Sequence, residues 1–238
     1  MTKNTTQILG IIPARGGSKR LPNKNIKSLM GKPLIAWTIE QANKSRLLTK
    51  TIISTDDEKI AGIAKEFNGL VPFKRPPELA KDDTSSYDVI FHALDFFNSQ
   101  GENYEIVALL EPTSPLRDDD DIDNAIRSFL ENYDKFNSLI SIGEIHLEHP
   151  AHAKRITNSF ISPFCPETSK STKLTNTKAY FPYGVIYISK VSSLRKHNSF
   201  YQPKTMYYLI KRWQTYEVDD IFDFYCIEKI MEMRGTNK

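Results

Sequence analysis

The stretch ILGIIPARGGSKRLPNKNI, residues 8–26, decides how this chain is read. Ile8–Ile12 is an apolar run broken at once by Pro13, which reads as a short strand buried on both faces. The loop behind it gathers Gly16, Gly17 and Ser18 with the cations Arg15, Lys19, Arg20 and Lys24. In open α/β sheets ligands settle beyond the carboxyl ends of the strands, where this loop falls. Two glycines let the backbone approach a phosphate with no Cβ in the way. Ser18, Arg15, Lys19 and Lys24 supply charge-assisted hydrogen bonds suited to a triphosphate, and to charge moving onto a leaving group. The spacing is neither that of a P-loop nor the GxGxxG dinucleotide fingerprint, so NTPase and dehydrogenase readings are weak.

The surrounding charge agrees with an anionic ligand. No acidic residue precedes Glu40, whereas Lys3, Arg15, Lys19, Arg20, Lys24, Lys27 and Lys32 all do. The acids gather instead at Asp56–Glu58, Asp118–Asp121 and Glu217–Asp223, leaving a net charge of only +3. A basic segment this focused suits nucleic acid or small-molecule phosphates. It has no interleaved aromatics, which disfavours nucleic acid. The 238 residues are 39% hydrophobic and 26% charged, ordinary for a globular protein. Cys165 and Cys226 form no metal-binding spacing, and reduced thiols in a cytoplasmic protein fit them best. The apolar runs fall far short of the ~18 residues of a membrane span, and MTKNTTQ lacks the core of a signal peptide.

Outward from the first loop, the pattern alternates. Gly31-Lys-Pro-Leu34 opens a helix with Pro33 in its first turn. Thr51–Ser54 is a second buried strand, and Asp56 caps a helix running through Phe67. Leu70–Phe73 reads as a third strand, Ser85 or Ser86 starts a helix, and Ile106–Leu110 is a fourth strand. The carboxylates at 118–121 begin another helix and complement its dipole. Such alternation argues for an α/β fold with a mostly parallel central sheet and helices on both faces. One domain over 1–238 is expected. After Leu139–Ile142, residues 144–182 turn polar and proline-bearing, which predicts a β-rich excursion or a partner-contacting arm. Val185–Ser189 and Met206–Ile210 return to strand, and Asp220–Met233 closes as a helix that puts Cys226 on an apolar face.

Ile12-Pro-Ala-Arg-Gly-Gly-Ser-Lys19 and Asn23-Lys-Asn-Ile26, followed by Gly31-Lys-Pro-Leu34, resemble the opening of the acylneuraminate cytidylyltransferases, the CMP-sialic acid synthetases and their relatives. The resemblance continues through Ile53-Ser-Thr-Asp56, Arg75-Pro-Pro-Glu-Leu-Ala80, Leu109-Leu-Glu-Pro-Thr-Ser-Pro-Leu-Arg117, Tyr183-Gly-Val-Ile-Tyr187 and Glu217-Val-Asp219. It implies a Rossmann-like nucleotide-diphospho-sugar transferase fold, usually a homodimer. The implied reaction joins CMP from CTP to the anomeric hydroxyl of a 2-keto-3-deoxy acid sugar and releases pyrophosphate, with Mg²⁺ (or Mn²⁺) neutralising the phosphates. Carried over by position, Arg15, Lys24 and Asp219 are the catalytic residues. Ala14, Gly16, Gly17, Ser18 and Asn25 line the triphosphate, and Arg75, Thr84 and Ser86 fall where cytosine and ribose are held. Glu111 and Tyr187 also fall at the site. Asp219 matches a metal-binding aspartate with Glu217 as its partner, and residues two apart on a strand face one side. A dimerisation and sugar-site elaboration lies at about 144–205, with Phe200 and Tyr201 in the arm that packs against a neighbour's sugar site.

Three positions depart from that pattern: Glu111 for the usual Gln, Tyr183 for Asn, and Glu217 for Asp. A carboxylate in place of an amide repels the sugar's own carboxylate or accepts from an amine or hydroxyl on a different sugar. The expected partner beside CTP is therefore an acidic nine-carbon sugar, with legionaminic- or pseudaminic-like acids as open as sialic acid. Neither nucleic acid nor membrane is expected as a partner. A CMP-Kdo-type or other sugar nucleotidyltransferase and a non-catalytic nucleotide-sugar binding protein remain as alternatives. His146, His149 and His152 show metal-like spacing without a shared face, and a place beside the sugar pocket, with Lys154 or Arg155 near its carboxylate, suits that segment better.

Overall fold

A computed structural model describes residues 6–164 and 177–235. Cys165 lies outside the described residues. In chain order the strands are β1 (Ile8–Pro13), β2 (Ser28–Leu29), β3 (Lys32–Pro33), β4 (Lys50–Ser54), β5 (Ile106–Leu109), β6 (Ser138–Ile145), β7 (Lys154–Thr157), β8 (Phe160–Pro163), β9 (Ala179–Lys190) and β10 (Thr205–Leu209). The helices are α1 (Leu34–Lys44), α2 (Glu58–Glu66), α3 (Ser86–Ser99), α4 (Asp121–Glu131), α5 (Val191–His197) and α6 (Ile221–Gly235).

The central sheet runs β10-β6-β9-β5-β1-β4. The β4–β1, β1–β5 and β6–β10 pairs are parallel, and β9 is antiparallel to both neighbours. Alternation along β1 and β5 explains the two cores, because successive side chains of a strand point to opposite faces. Ile8, Ile12, Ile106 and Ala108 pack with α1, α2 and α4, while Leu9, Ile11, Val107 and Leu109 pack with α3 and α5. A third cluster sets Leu21 of the first loop and Leu29 of β2 against Leu116, Val218 and Phe224.

Several local expectations change. Asp57, not Asp56, caps α2 by accepting from the Lys59 and Ile60 amides. Segment 70–74 gives only isolated parallel bridges, Ile52 to Leu70 and Thr55 to Lys74, because Pro72 removes a ladder donor. Ser85 caps α3 through the Tyr87 amide. The acids at 118–121 do more than complement a dipole. Asp118 pairs with Lys211 and Arg234, Asp119 pairs with Lys44, and buried Asp121 accepts from Tyr208 and Gln214. Cys226 is exposed, one step off the face of α6 that buries Phe224 and Ile227. Within 144–205, β9 belongs to the centre of the sheet, and the excursion proper is the β7–β8 hairpin.

The β6–β9 ladder slips between Ile140 and Ile142. There the Ser141 hydroxyl fills in for the ladder, its one proton within reach of both the Tyr183 and Ile186 carbonyls while its oxygen accepts from the Ile186 amide. This bulge bends β9 at Tyr183-Gly184 and presents that corner to the loop following β5.

Candidate active site

The chain leaves β1 toward β4 on one side and, after β4, returns across β1 to place β5 on its other side, so the strand order reverses at β1. A crevice opens at such a switch point beyond the carboxyl ends of the strands. Here it receives the loops after β1 and β5, and it is divided into two adjoining cavities. One, about 290 Å³, is lined by Arg15, Asn25, Arg75, Lys81, Asp82, Thr84, Ser86 and Glu111, among others. The second, about 190 Å³, is walled by Ser86, Tyr87, Leu109, Glu111, Tyr187, Phe200 and Tyr201. Ser86 and Glu111 border both. A larger cavity of about 350 Å³ lies between α1, residues 115–119 and the end of α6, away from this crevice.

The cationic loop is held by carboxylates. Arg15 donates to the Lys81 carbonyl at 2.9 Å and pairs with Asp82 at 3.0 Å, and Lys19 also pairs with Asp82. Arg20 pairs with Asp219, while Lys24 Nζ donates to the Val218 carbonyl at 2.9 Å and stands 3.9 Å from Asp219 Oδ1. Burial lowers the pKa of Lys24 against the pull of Asp219 and Glu111. Asn25 is buried and donates to the Arg15 carbonyl at 3.0 Å, fixing the turn.

The two glycines differ. A Cβ on Gly16 would lie 2.6 Å from Asp57 Oδ2, and the Gly16 amide already donates to Asp56 at 3.1 Å. Gly17 has open space around it. Gly16 therefore serves close packing of the loop on the start of α2, and Gly17 is the one positioned for approach by a ligand. Ala14 is buried, with its amide bonded to the Ser54 carbonyl, so it anchors the loop without facing the cavity.

Arg75 is buried and donates to Ser54 and to the Leu79 carbonyl. Burial lowers its pKa to about 10, which leaves it cationic at neutral pH. The Thr84 hydroxyl reaches the Glu78 carbonyl at 3.3 Å. Arg117 is spent wholly on the frame, donating to Val185 O, Thr38 Oγ1, Ser114 O, Glu111 O and Gly184 O. It thereby locks the Glu111 loop to the β9 corner. Burial and Glu217 push Glu111 up to about 7, against Arg117, Lys24 and Arg75.

Glu217 and Asp219 flank buried Val218, whose amide bonds to Thr113 O at 2.8 Å. They do not share one role. Glu217 Oε1 accepts from the Ser114 hydroxyl at 2.6 Å and from the Gly184 amide, while Asp219 is half-exposed beside Arg20 and Lys24. Asp219 could offer carboxylate oxygen to a hard divalent cation, although Arg20 pairs with its Oδ2, and Glu217 could offer only its second oxygen.

Phe200 is buried at 3% exposure against Tyr87 and Tyr187, with ring centroids 5.8 and 5.4 Å away. It is a wall of its own chain's second cavity and does not project as an arm. Tyr201 is exposed at the same cavity's mouth. The projecting element is the β7–β8 hairpin, where Ile156, Phe160 and Ile161 are more than 70% exposed and which also carries Lys154 and Arg155. His149 is engaged at both ring nitrogens, by the Ala151 amide and the Thr177 carbonyl, and no metal-type cluster of His, Cys, Asp or Glu occurs among the described residues. Lys81 and Asp82, which carry no motif of their own, directly follow the Arg75–Ala80 stretch and line the first cavity.

A family model described as Cytidylyltransferase matches residues 9–230. The chain belongs to the cytidylyltransferase family. It is 33% identical over 233 residues to an N-acylneuraminate cytidylyltransferase of Escherichia coli, covering 98% of this chain and 54% of that protein, so it spans about half the length of that relative. It is 32% identical to a pseudaminic acid cytidylyltransferase of Campylobacter jejuni, over 90% of this chain and 92% of that one. Among solved structures, a CMP:2-keto-3-deoxy-manno-octonic acid synthetase complexed with CTP shares the fold, with a TM-score of 0.69, 17% identity, and coverage of 96% and 100%. The Rossmann-like α/β expectation for this cytidylyltransferase agrees with that likeness.

Proposed function

We propose that this cytidylyltransferase transfers CMP from CTP to the anomeric hydroxyl of an acidic nine-carbon nonulosonic sugar. The observation that carries the reading is the pair of cavities meeting at Ser86 and Glu111, one beside a loop of cations and the other walled by aromatic rings. CTP occupies the first: Arg75, Thr84 and Ser86 lie toward the nucleoside, while Arg15, Gly17, Ser18 and Lys24 receive the triphosphate. The sugar occupies the second. Names of relatives sharing about a third of the sequence over most of the chain support this sugar class.

The chemistry is an in-line displacement. A bond forms from the anomeric oxygen to the α-phosphorus, the bond from that phosphorus to the bridging oxygen breaks, and the hydroxyl proton passes to water as pyrophosphate departs. Arg15 and Lys24 stabilise charge as it accumulates on the departing phosphates. Asp219 would hold Mg²⁺ (or Mn²⁺), with the free oxygen of Glu217 as its neighbour; when bound, that ion neutralises phosphate charge. We further assign the apolar β7–β8 hairpin as the contact of a homodimer, and place the enzyme in the cytoplasm, where CTP is made. No described helix is long and apolar enough to cross a membrane.

The test is pyrophosphate release from CTP and Mg²⁺ with a panel of 2-keto-3-deoxy acid sugars that includes Kdo. Release with a nonulosonic acid and not with Kdo supports the reading. Release with Kdo alone, or silence across the panel, overturns it.

A further inference from the structure

The second cavity has one charged residue on its described wall, Glu111, and it stands among Tyr87, Tyr187, Phe200 and Tyr201. Its placement depends on Gly184: a Cβ there would lie 2.7 Å from Glu111 Cγ and 2.9 Å from Glu217 Oε1. The missing side chain lets two carboxylate-bearing chains converge on one corner. No described cation pairs with the Glu111 carboxylate. Arg117 is consumed by five frame acceptors, Arg75 turns to Ser54 and Leu79, and Lys24 to Val218 and Asp219, so none of the three forms an ion pair with Glu111. A buried carboxylate without a paired cation is costly, and a second carboxylate nearby raises that cost.

Two features of this corner favour the same missing partner. A cation relieves the Glu111–Glu217 repulsion, and the faces of surrounding aromatic rings attract cations. Glu is also the anionic isostere of Gln, the usual residue at this position in the family that the Leu109–Arg117 motif resembles. The shape-conserving complement of that exchange, in a sugar bearing N-acyl groups, is an amidine in place of an amide.

We infer that the sugar cavity selects a nonulosonic acid carrying a cationic nitrogen substituent, an amidinium or ammonium where other such sugars carry a neutral N-acyl group, with Glu111 as its counter-ion. The inference rests on the nonulosonic acid reading above. Glu111 is then a specificity-determining residue: its carboxylate binds the substituent and takes no part in bond making.

The experiment compares two substrates of one skeleton: a di-N-acetylated nonulosonic acid, and the same sugar with one N-acetyl replaced by N-acetimidoyl. Pyrophosphate release with CTP gives kcat/KM for each, in the wild type and in Glu111→Gln. The wild type is expected to prefer the amidine by about tenfold or more, the scale for a charge-assisted pair in a desolvated site. Glu111→Gln is expected to abolish or reverse that ratio, and an effect on folding alone would lower both rates together. Equal use of both sugars by the wild type, preference for the acetamide, or an amidine preference that survives in Glu111→Gln overturns the inference while leaving the transferase reading intact. No release with either sugar overturns the reading and the inference with it. The wild-type ratio decides even if the variant does not fold.

Discussion

Lys24 Nζ stands 3.9 Å from Asp219 Oδ1, although one residue belongs to the loop after β1 and the other to the approach to α6. The backbone explains the meeting. Lys24 donates to the Val218 carbonyl, and the Val218 amide is tied to Thr113 in the loop after β5. Three segments are thus pinned at one point, with Thr113 itself lining the cavity that holds Arg15 and Arg75. Replacing Asp219 by Ala, or Arg15 by Ala, should each cut turnover by about a hundredfold or more, the scale for removing a charge-stabilising group. Steady-state pyrophosphate release checks both. Near-normal rates in either variant would mean its role is misassigned.

Asp82 pairs with both Arg15 and Lys19, and so occupies cations that the proposed CTP site would offer to a triphosphate. These pairs are substantially exposed and therefore weak. Asp82→Asn should tighten CTP binding by about two- to fivefold, a gain of the size such pairs are worth. Calorimetric titration with CTP measures it. Weaker binding in the variant would show that Asp82 supports the loop and does not compete with the ligand.

Most of the sheet was legible because its strands are buried on both faces and read as uninterrupted apolar runs: Ile8–Ile12, Thr51–Ser54 and Ile106–Leu110 all became strands within a residue or so at each end. Leu70–Phe73 misled because Pro72 interrupts its ladder. The full length of β9 was hidden, since Pro182, Tyr183 and Gly184 look like a break when they form a bulge repaired by the Ser141 hydroxyl. At the site, residue types revealed the cations but not their counter-ions. The link of Arg15 to Asp82 and the turning inward of Glu217 depend on loop packing that no local pattern encodes. Phe200 reads from sequence as part of an arm because burial of an aromatic in a turn has no periodic signature.

Gly16 and Gly17 look equivalent in sequence and should respond differently to alanine. At Gly16 the new Cβ meets Asp57, whose side chain is fixed as the cap of α2. Gly16→Ala should lose about 1–3 kcal/mol of stability, as for other overpacked sites. Gly17→Ala should stay within about 0.5 kcal/mol of wild type, since nothing crowds it. Its penalty should instead fall on the KM for CTP, where a methyl group stands between backbone and phosphate. Urea unfolding and CTP kinetics on the two variants separate the effects.

Glu111 should also leave its mark on stability against pH. Its pKa is raised from 4.5 to about 7 by burial and by Glu217. Below the unfolded value the carboxyl is protonated in both states, and the stability it allows is fully present. As pH rises toward about 7 the unfolded chain ionises first while the folded chain retains its proton, so stability is lost across that window. The slope from one such group approaches about 1.4 kcal/mol per pH unit at most. Glu111→Gln has no proton to lose and should escape the decline. The variant's stability relative to wild type should therefore climb by about 1–3 kcal/mol between pH 4.5 and 7 and then level off. Urea midpoints of both proteins at one-unit intervals measure this difference and cancel the titration of all other groups. A flat difference would mean that Glu111 is ionised throughout the range, with its charge met by a group of the protein.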